Sequence, residues 1–217
     1  MSAIGGMPQA NAAAGAIPRT WDHETDVICV GYGGAGANAA IAARDRGSRV
    51  LIIEKMAQGG GNTAVSSGLF LCPTDAEKAF GHLEQLYALA HAESDRDVLR
   101  AFVDGAVETA DWITGLKDGT RVGTDGGAGF PQVGGAGTMR QMFVDGPPGR
   151  ARADNLWEVY AHAVEEKRKI AILTETAAKR LVSNEDGEII AVIAEREGRE
   201  IAIRARQAVV LTSGGYE

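Results

Sequence analysis

Residues 26–54, DVICVGYGGAGANAAIAARDRGSRVLIIE, leave this chain few folds to choose from. They read as strand, glycine turn, helix and strand. Residues 26–31 are a short apolar run of the kind that lies in the middle of a parallel sheet, covered on both faces. Gly31-Tyr32-Gly33-Gly34-Ala35-Gly36 then supplies G-x-G-x-x-G where strand becomes helix. Gly31 permits the tight turn, Gly33 lets the backbone approach a pyrophosphate, and Gly36 lets the helix pack close to the strand. Gly34 and Ala35 begin a helix over about residues 35–46, whose free N–H groups and positive dipole end point at the phosphates. Ala35, Ala39 and Ala43 are expected on its inner face. Gly47 stops it, and residues 49–53 form the second strand.

Glu54 ends that strand, 23 residues after Gly31. An acid at this distance can accept hydrogen bonds from both hydroxyls of an adenosine ribose, and Lys55 directly behind it is counted with the same site. A glycine pattern alone means little in a chain with 29 glycines. Strand, helix and acid at matching spacing together indicate dinucleotide binding.

The net charge of −7 argues against nucleic acid or an anionic membrane as main partner. It does not exclude a phosphate ligand, because backbone N–H groups can hold one. Cys29 and Cys72 form no metal or redox spacing, and Cys29 reads as a small buried hydrophobe. A reducing cytoplasm is therefore expected, with no membrane span. Residues 1–20 lack the basic start and apolar centre of a secretory signal and read as a mobile arm.

Behind the acid come Gly59-Gly60-Gly61-Asn62-Thr63 and then Ser66-Ser67-Gly68, an open loop with many free N–H groups. The run IEKMAQGGGNTAVSSG resembles the flavin-binding loop of the fumarate reductase/succinate dehydrogenase flavoprotein superfamily, notably its soluble fumarate-reductase-like and 3-ketosteroid-dehydrogenase-like members. That resemblance implies that Gly60, Gly61, Asn62 and Thr63 lie along the pyrophosphate and ribityl chain of FAD. Ser66, Ser67 and Gly68 would pass beside the isoalloxazine ring. Succinate dehydrogenases attach their flavin through a histidine in this loop. None occurs here, so the resemblance implies non-covalent FAD.

Residues 75–92 carry Ala79, Leu83, Leu86 and Ala90 at helical spacing. Ser94-Asp95-Arg96-Asp97 resembles a capping box. It opens a second helix with Leu99, Phe102, Val103, Ala106, Val107, Ala110 and Ile113 inward. Asp111-Trp112-Ile113 matches the D-W-[IL] that ends a helical insertion in the superfamily. His82 and His91, on opposite sides of the first helix, are expected as surface or packing residues. Residues 119–152 read as a long glycine-rich loop. Such loops are often substrate lids, and this one either presents Arg121 or Arg140 to an anionic substrate or is an irregular surface loop with solvated arginines.

Residues 155–169 form an amphipathic helix with Leu156, Val159, Tyr160, Ala163 and Val164 inward and His162 solvated. Strands follow at 170–173, 177–182, 188–195 and 200–205, the middle pair closed by Asn184-Glu185-Asp186-Gly187. Alternation over residues 201–206 fits a sheet with one wet face, and residues 208–212 should return to the parallel sheet. This tail is similar to the superfamily's β-meander and its closing A-T-G-G-[FY] motif. The match implies that Ala178 offers its backbone to adenine. Thr212, Ser213, Gly214 and Gly215 would close over the adenosine-diphosphate side. Thr212 stands where alanine is usual, and Ser213 where threonine is usual.

The expected architecture is an α/β fold, a Rossmann-like FAD-binding parallel sheet with a β-meander and a helical insertion. Its parts are an arm (1–20), the cofactor-binding βαβ unit and flavin loop (21–72), the insertion and glycine-rich loop (73–152), and the returning sheet (153–217). Superfamily members continue with a capping domain and a last segment that carry the proton-delivering arginine and the substrate clamp. The resemblance thus implies an oxidoreductase moving hydride to or from a carbon beside a carbonyl or carboxylate, here without its capping domain. A fragment, a truncated form and the non-catalytic half of a split flavoprotein, its cap supplied by a partner chain, all stay open. So does a nicotinamide-binding dehydrogenase domain, which shares the opening motif. No catalytic residue and no metal ligand is named.

Overall fold

The computed structural model describes residues 17–215; residues 1–16, most of the expected arm, lie outside the described residues. A six-stranded sheet has the order β6-β2-β1-β9-β8-β7. Its parallel part comprises β1 (His23–Val30), β2 (Val50–Ile53), β6 (Ala171–Leu173) and β9 (Arg199–Leu211). Strands β7 (Thr176–Ser183) and β8 (Ile189–Arg196) add the antiparallel meander. Helix α1 (Gly34–Asp45) crosses from β1 to β2.

The apolar run in β1 is explained by cover on both faces. Cys29 and Ile52 face α1 and the helix α6 (Arg152–Ala161) within one core cluster. Ile28, Leu51 and Ile53 face Val192, Ala194, Ile203 and Ala205 of the curled meander. Ile28, Ile52 and Ile53 are at most 1% exposed, and each such side chain stabilises the fold by about 1.5–3 kcal/mol. Helix α1 ends in a Schellman arrangement. Ser48 N–H donates to Ala43 O at 3.1 Å, Gly47 N–H donates to Arg44 O at 3.0 Å, and Gly47 takes φ 89°.

Several expectations shift. Ala39 and Ala43 pack on the core as expected, but the buried face of α1 is Gly36, Ala37, Ala40 and Ile41, and Ala35 is exposed. Contact begins at Gly36, and the helical period carries the stripe on from there. The strands expected at 200–205 and 208–212 are one strand, β9. It holds a bulge where Arg206 and Gln207 stand opposite Asp26. Its outer face is not wholly wet, because Trp21 packs on Ala202 beside Val182 and Ile193.

Between β2 and β6 lies the insertion. It follows α2 (Gly61–Val65) and β3 (Leu69–Leu71) and holds α3 (Ala76–Leu89), α4 (Arg96–Ala106) and α5 (Thr109–Leu116). The single helix expected up to Ile113 is broken at Val107 and Glu108, and within α4 the buried stripe is Leu99, Val103 and Ala106, leaving Phe102 52% exposed rather than inward. Asp95, not Ser94, caps α4, accepting the Asp97 and Val98 N–H groups. Ala90 is exposed rather than inward, and Phe80 and His82 take the buried places with Ala79. The long loop expected at 119–152 contains β4 (Val122–Gly127) and β5 (Arg140–Val144), which pair with β3 in the order β3-β5-β4. His82 anchors the remainder: it is fully buried, its Nδ1 lies 2.9 Å from Gly134 O, and Phe130 N–H donates to its Nε2. His91 lies past the end of α3 at φ 51°. The α6 stripe is as expected, and the helix runs on as a π-helical turn, His162–Lys167, ending near Lys169.

Candidate functional site

At the C-terminal ends of β1, β2 and β9 the chain encloses a cleft of about 590 Å³. Crevices outside the carboxyl ends of parallel strands are where such sheets hold ligands. Three walls form it: Gly31, Gly33, Gly34 and Ala35 from the turn, Glu54, Lys55 and Met56 after β2, and Gly61, Asn62 and Thr63 from α2. Leu211, Thr212, Ser213, Gly214 and Gly215 close the far side. A smaller hollow of about 130 Å³ adjoins it through Gly31, Glu54, Lys55 and Ser213, and is lined further by Thr176, Ala177 and Ala178.

The glycines differ in what they answer to. Gly31 has φ 105°, and a Cβ there would lie 2.5 Å from Thr212 O. A Cβ on Gly36 would run into the Gly31 carbonyl oxygen, so this glycine serves helix–strand contact and stands behind the cleft. Gly33 has extended backbone that any residue adopts, and the nearest protein atom to an added Cβ is Gly60 O at 3.5 Å. Nothing in the protein asks for glycine at 33; the space a side chain would take is the cleft itself. This is the fit expected of a corner built to let backbone touch a diphosphate.

The N-terminus of α1 carries no side-chain cap from Gly33 and no acid in its first turn. Gly34 N–H is already engaged, donating to Thr63 Oγ1 at 2.9 Å. The Thr63 hydroxyl, having accepted, keeps its own proton for another acceptor. Gly60 caps α2 at φ 121°, its N–H donating to Tyr32 O at 2.7 Å, and forms a bridge with Gly33. The two glycine segments therefore lie side by side.

Glu54 is 8% exposed. Its Oε2 accepts Tyr32 N–H at 2.7 Å and its Oε1 accepts Met56 N–H at 2.9 Å. Each carboxylate oxygen retains capacity for a further donor. Tyr32 itself points away from the cleft. Burial, and then the Glu165 carboxylate it bonds, push its phenol above the usual tyrosine range, so it donates as a neutral hydroxyl.

Ser66, Ser67 and Gly68 do not line the cleft. Ser66 Oγ donates to Thr63 O and accepts Gly68 N–H, and Gly68 is pressed against Arg152 and Ala153. Arg121 and Arg140 flank the small sheet and do not reach the cleft either. Sequence reading passed over the Tyr32 side chain, Trp157 and Glu165, which support the turn from beneath. Only tertiary contact brings these together. Cys29 is fully buried, which pushes its thiol up to about 11, and Cys72 is also buried. Among the described residues no cluster of metal-ligating side chains occurs, and no helix is long and apolar enough to cross a membrane.

Comparison with known proteins matches residues 26–217 to the family model described as FAD binding domain. The acrylate reductase flavoprotein subunit of Shewanella woodyi is 28% identical over 215 residues, covering 90% of this chain and 40% of that protein. The fumarate reductase (cytochrome) of Shewanella frigidimarina is 28% identical over 208 residues, covering 89% of this chain and 34% of that protein. Among solved structures, the 3-ketosteroid-Δ4-(5α)-dehydrogenase of Rhodococcus jostii RHA1 superposes with a TM-score of 0.77 at 23% identity, over 89% of this chain and 46% of that one. The chain thus spans less than half the length of these relatives.

Proposed function

Because the chain belongs to the FAD binding domain family, homologous to fumarate reductases and ketosteroid dehydrogenases, we propose that it is the cofactor-holding part of an FAD-dependent oxidoreductase. The reaction class proposed is hydride transfer to or from a carbon beside a carbonyl or carboxylate, as reduction of an activated C=C bond or its reverse. FAD, when bound, supplies the two-electron redox chemistry that amino-acid side chains lack. The residues of this chain orient it. Residues 21–72 and 153–217 form the holding unit in this reading.

Glu54 grips the adenosine ribose, the N–H group of Ala35 with the Thr63 hydroxyl holds the pyrophosphate, and Ala178 in the adjoining hollow meets adenine. Gly61 and Asn62 follow the ribityl chain. Ser66 to Gly68 stand beside the ring end without lining the cleft. The observation that carries this reading is the single cleft in which an acid at the end of β2 faces a bare glycine corner at the end of β1. Non-covalent attachment is proposed because residues 55–71 contain neither histidine nor cysteine and Cys72 is buried. Buried Cys29 and Cys72, free as thiols, fit a reducing, cytoplasmic setting. The substrate clamp is assigned to protein beyond these residues, in the same or a partner chain.

The test is direct. The purified chain should be protected against heat by FAD but not by NAD, and acid precipitation should release the flavin into the supernatant. Protection by NAD alone, or by neither, would overturn the proposal.

A further inference from the structure

Tyr32 stands between the first two glycines of the turn, at a position the dinucleotide pattern leaves open to any residue. Its backbone joins the two sides of the cleft: the N–H donates to Glu54 Oε2 and the carbonyl accepts Gly60 N–H, both at 2.7 Å. Its side chain, 2% exposed, is held on three sides. Gly59 lies against the ring so closely that any Cβ there would overlap it. Trp157 meets the ring edge-on, centroids 4.9 Å apart. The hydroxyl donates to Glu165 Oε1 at 2.8 Å.

Glu165 lies in the π-helical turn His162–Lys167 that continues α6. Such a turn re-aims side chains relative to the preceding α-helix. The same turn is fixed to α1 by Arg168, whose guanidinium donates to both carboxylate oxygens of Asp45 at 2.7 Å. The hydroxyl of Tyr32 is therefore tied, through an exposed carboxylate, to a turn that is itself fixed to α1. An edge-on aromatic contact leaves the ring free to slide along its own plane, and the bond to Glu165 removes that freedom.

Resting on the reading of this cleft as an FAD site, we infer that Tyr32, held by Glu165, is a positioning residue that sets the separation between the ribose-side carboxylate and the Gly59–Gly60 strip. It thereby tunes the cleft to a ligand that spans both sides. The tyrosine hydroxyl is not needed to fill space, since phenylalanine would fill it equally. It is needed for register.

The test uses the whole chain with Tyr32→Phe, Glu165→Leu, Glu165→Gln and the double variant Tyr32→Phe/Glu165→Leu. Each is titrated with FAD and with AMP, which reaches the sugar side only, and the exchange of Gly60 N–H is followed without ligand. Tyr32→Phe and Glu165→Leu should each weaken FAD about five- to twentyfold, the loss of one well-placed hydrogen bond. AMP should change less than about twofold, because it does not span the cleft. The double variant should be no weaker than either single one, and Glu165→Gln, whose amide oxygen still accepts, should stay close to the parent. Gly60 N–H should exchange faster in the weakened variants. Unchanged FAD affinity in Tyr32→Phe, or equal losses for FAD and AMP, would overturn the inference and leave the site reading standing. A parent chain that binds neither FAD nor AMP would remove both.

Discussion

Glu54 Oε2 accepts the Tyr32 N–H at 2.7 Å, so the acid that ends β2 also fastens the turn that ends β1. The carboxylate is a structural acceptor before any ligand arrives. Its removal must be felt in the empty protein as well as in the loaded one.

Glu54→Ala leaves the Tyr32 and Met56 N–H groups without their acceptor. The expected cost is about 2 kcal/mol, or a fall of about 4–8 °C in the Tm of the ligand-free chain. FAD affinity should fall about ten- to a hundredfold, as loss of a charge-assisted bond implies. Thermal melts and a fluorescence titration measure both. FAD affinity equal to the parent's would take Glu54 out of the site.

Gly33→Ala and Gly36→Ala separate binding from folding. At 33 the nearest protein atom is 3.5 Å from an added Cβ, whereas at 36 the Gly31 carbonyl stands in its place. Gly33→Ala should melt within about 2 °C of the parent and lose at least about tenfold in FAD affinity, since the methyl fills the approach to the diphosphate. Gly36→Ala should lose about 3 kcal/mol or more through overpacking against backbone. Circular dichroism melts and FAD titration of the pair decide it, and equal melting temperatures would refute the distinction.

His82→Leu should destabilise the insertion and spare the cleft. It removes the partners of Gly134 O and Phe130 N–H, at an expected cost of about 2 kcal/mol. Limited proteolysis should show earlier cutting within residues 128–138, with FAD affinity unchanged. A variant that loses FAD affinity along with loop protection would show that the insertion and the cleft are coupled.

Acid should loosen the fold. The bonded Arg168 guanidinium holds the Asp45 carboxyl below its usual range, and Lys117 followed by Arg150 does the same for Glu158. Unfolded, these groups titrate near pH 4, so the unfolded chain takes up more protons in the window just below. The stabilisation they give is complete above about pH 5 and is lost as pH falls through their lowered folded values. Tm should therefore be level from about pH 7 down to about pH 5 and drop below about pH 4. Asp45→Asn should lessen the drop, and an unaltered acid limb would exclude Asp45 as a contributor.

Much of this was legible in the sequence because its causes are local. The turn from Gly31 to Gly36, the stop at Gly47 and the α6 stripe from Leu156 to Val164 are each set by neighbours within a few residues. Strand β4 was hidden because half of its residues, in VGTDGG, are glycine, which carries no alternation to read. It becomes a strand only by pairing with β5. Phe102 is not inward because α4 buries only the narrow stripe of Leu99, Val103 and Ala106, and an apolar residue beside that stripe reads in sequence as part of it. The bond from Tyr32 to Glu165 joins residues 133 positions apart. No spacing rule reaches that far.

Strand β9 has one further consequence. Its first half is zipped to β8 of the hairpin, and from Ile203 onward, across the bulge, it runs beside β1 to the rim at Thr212. A single unbroken backbone thus belongs to two neighbourhoods, and neither can come loose while the other stays seated. Amide protection along Arg199–Leu211 should rise and fall as one step. A nucleotide settling against the rim would then quieten a hairpin whose tip it never meets.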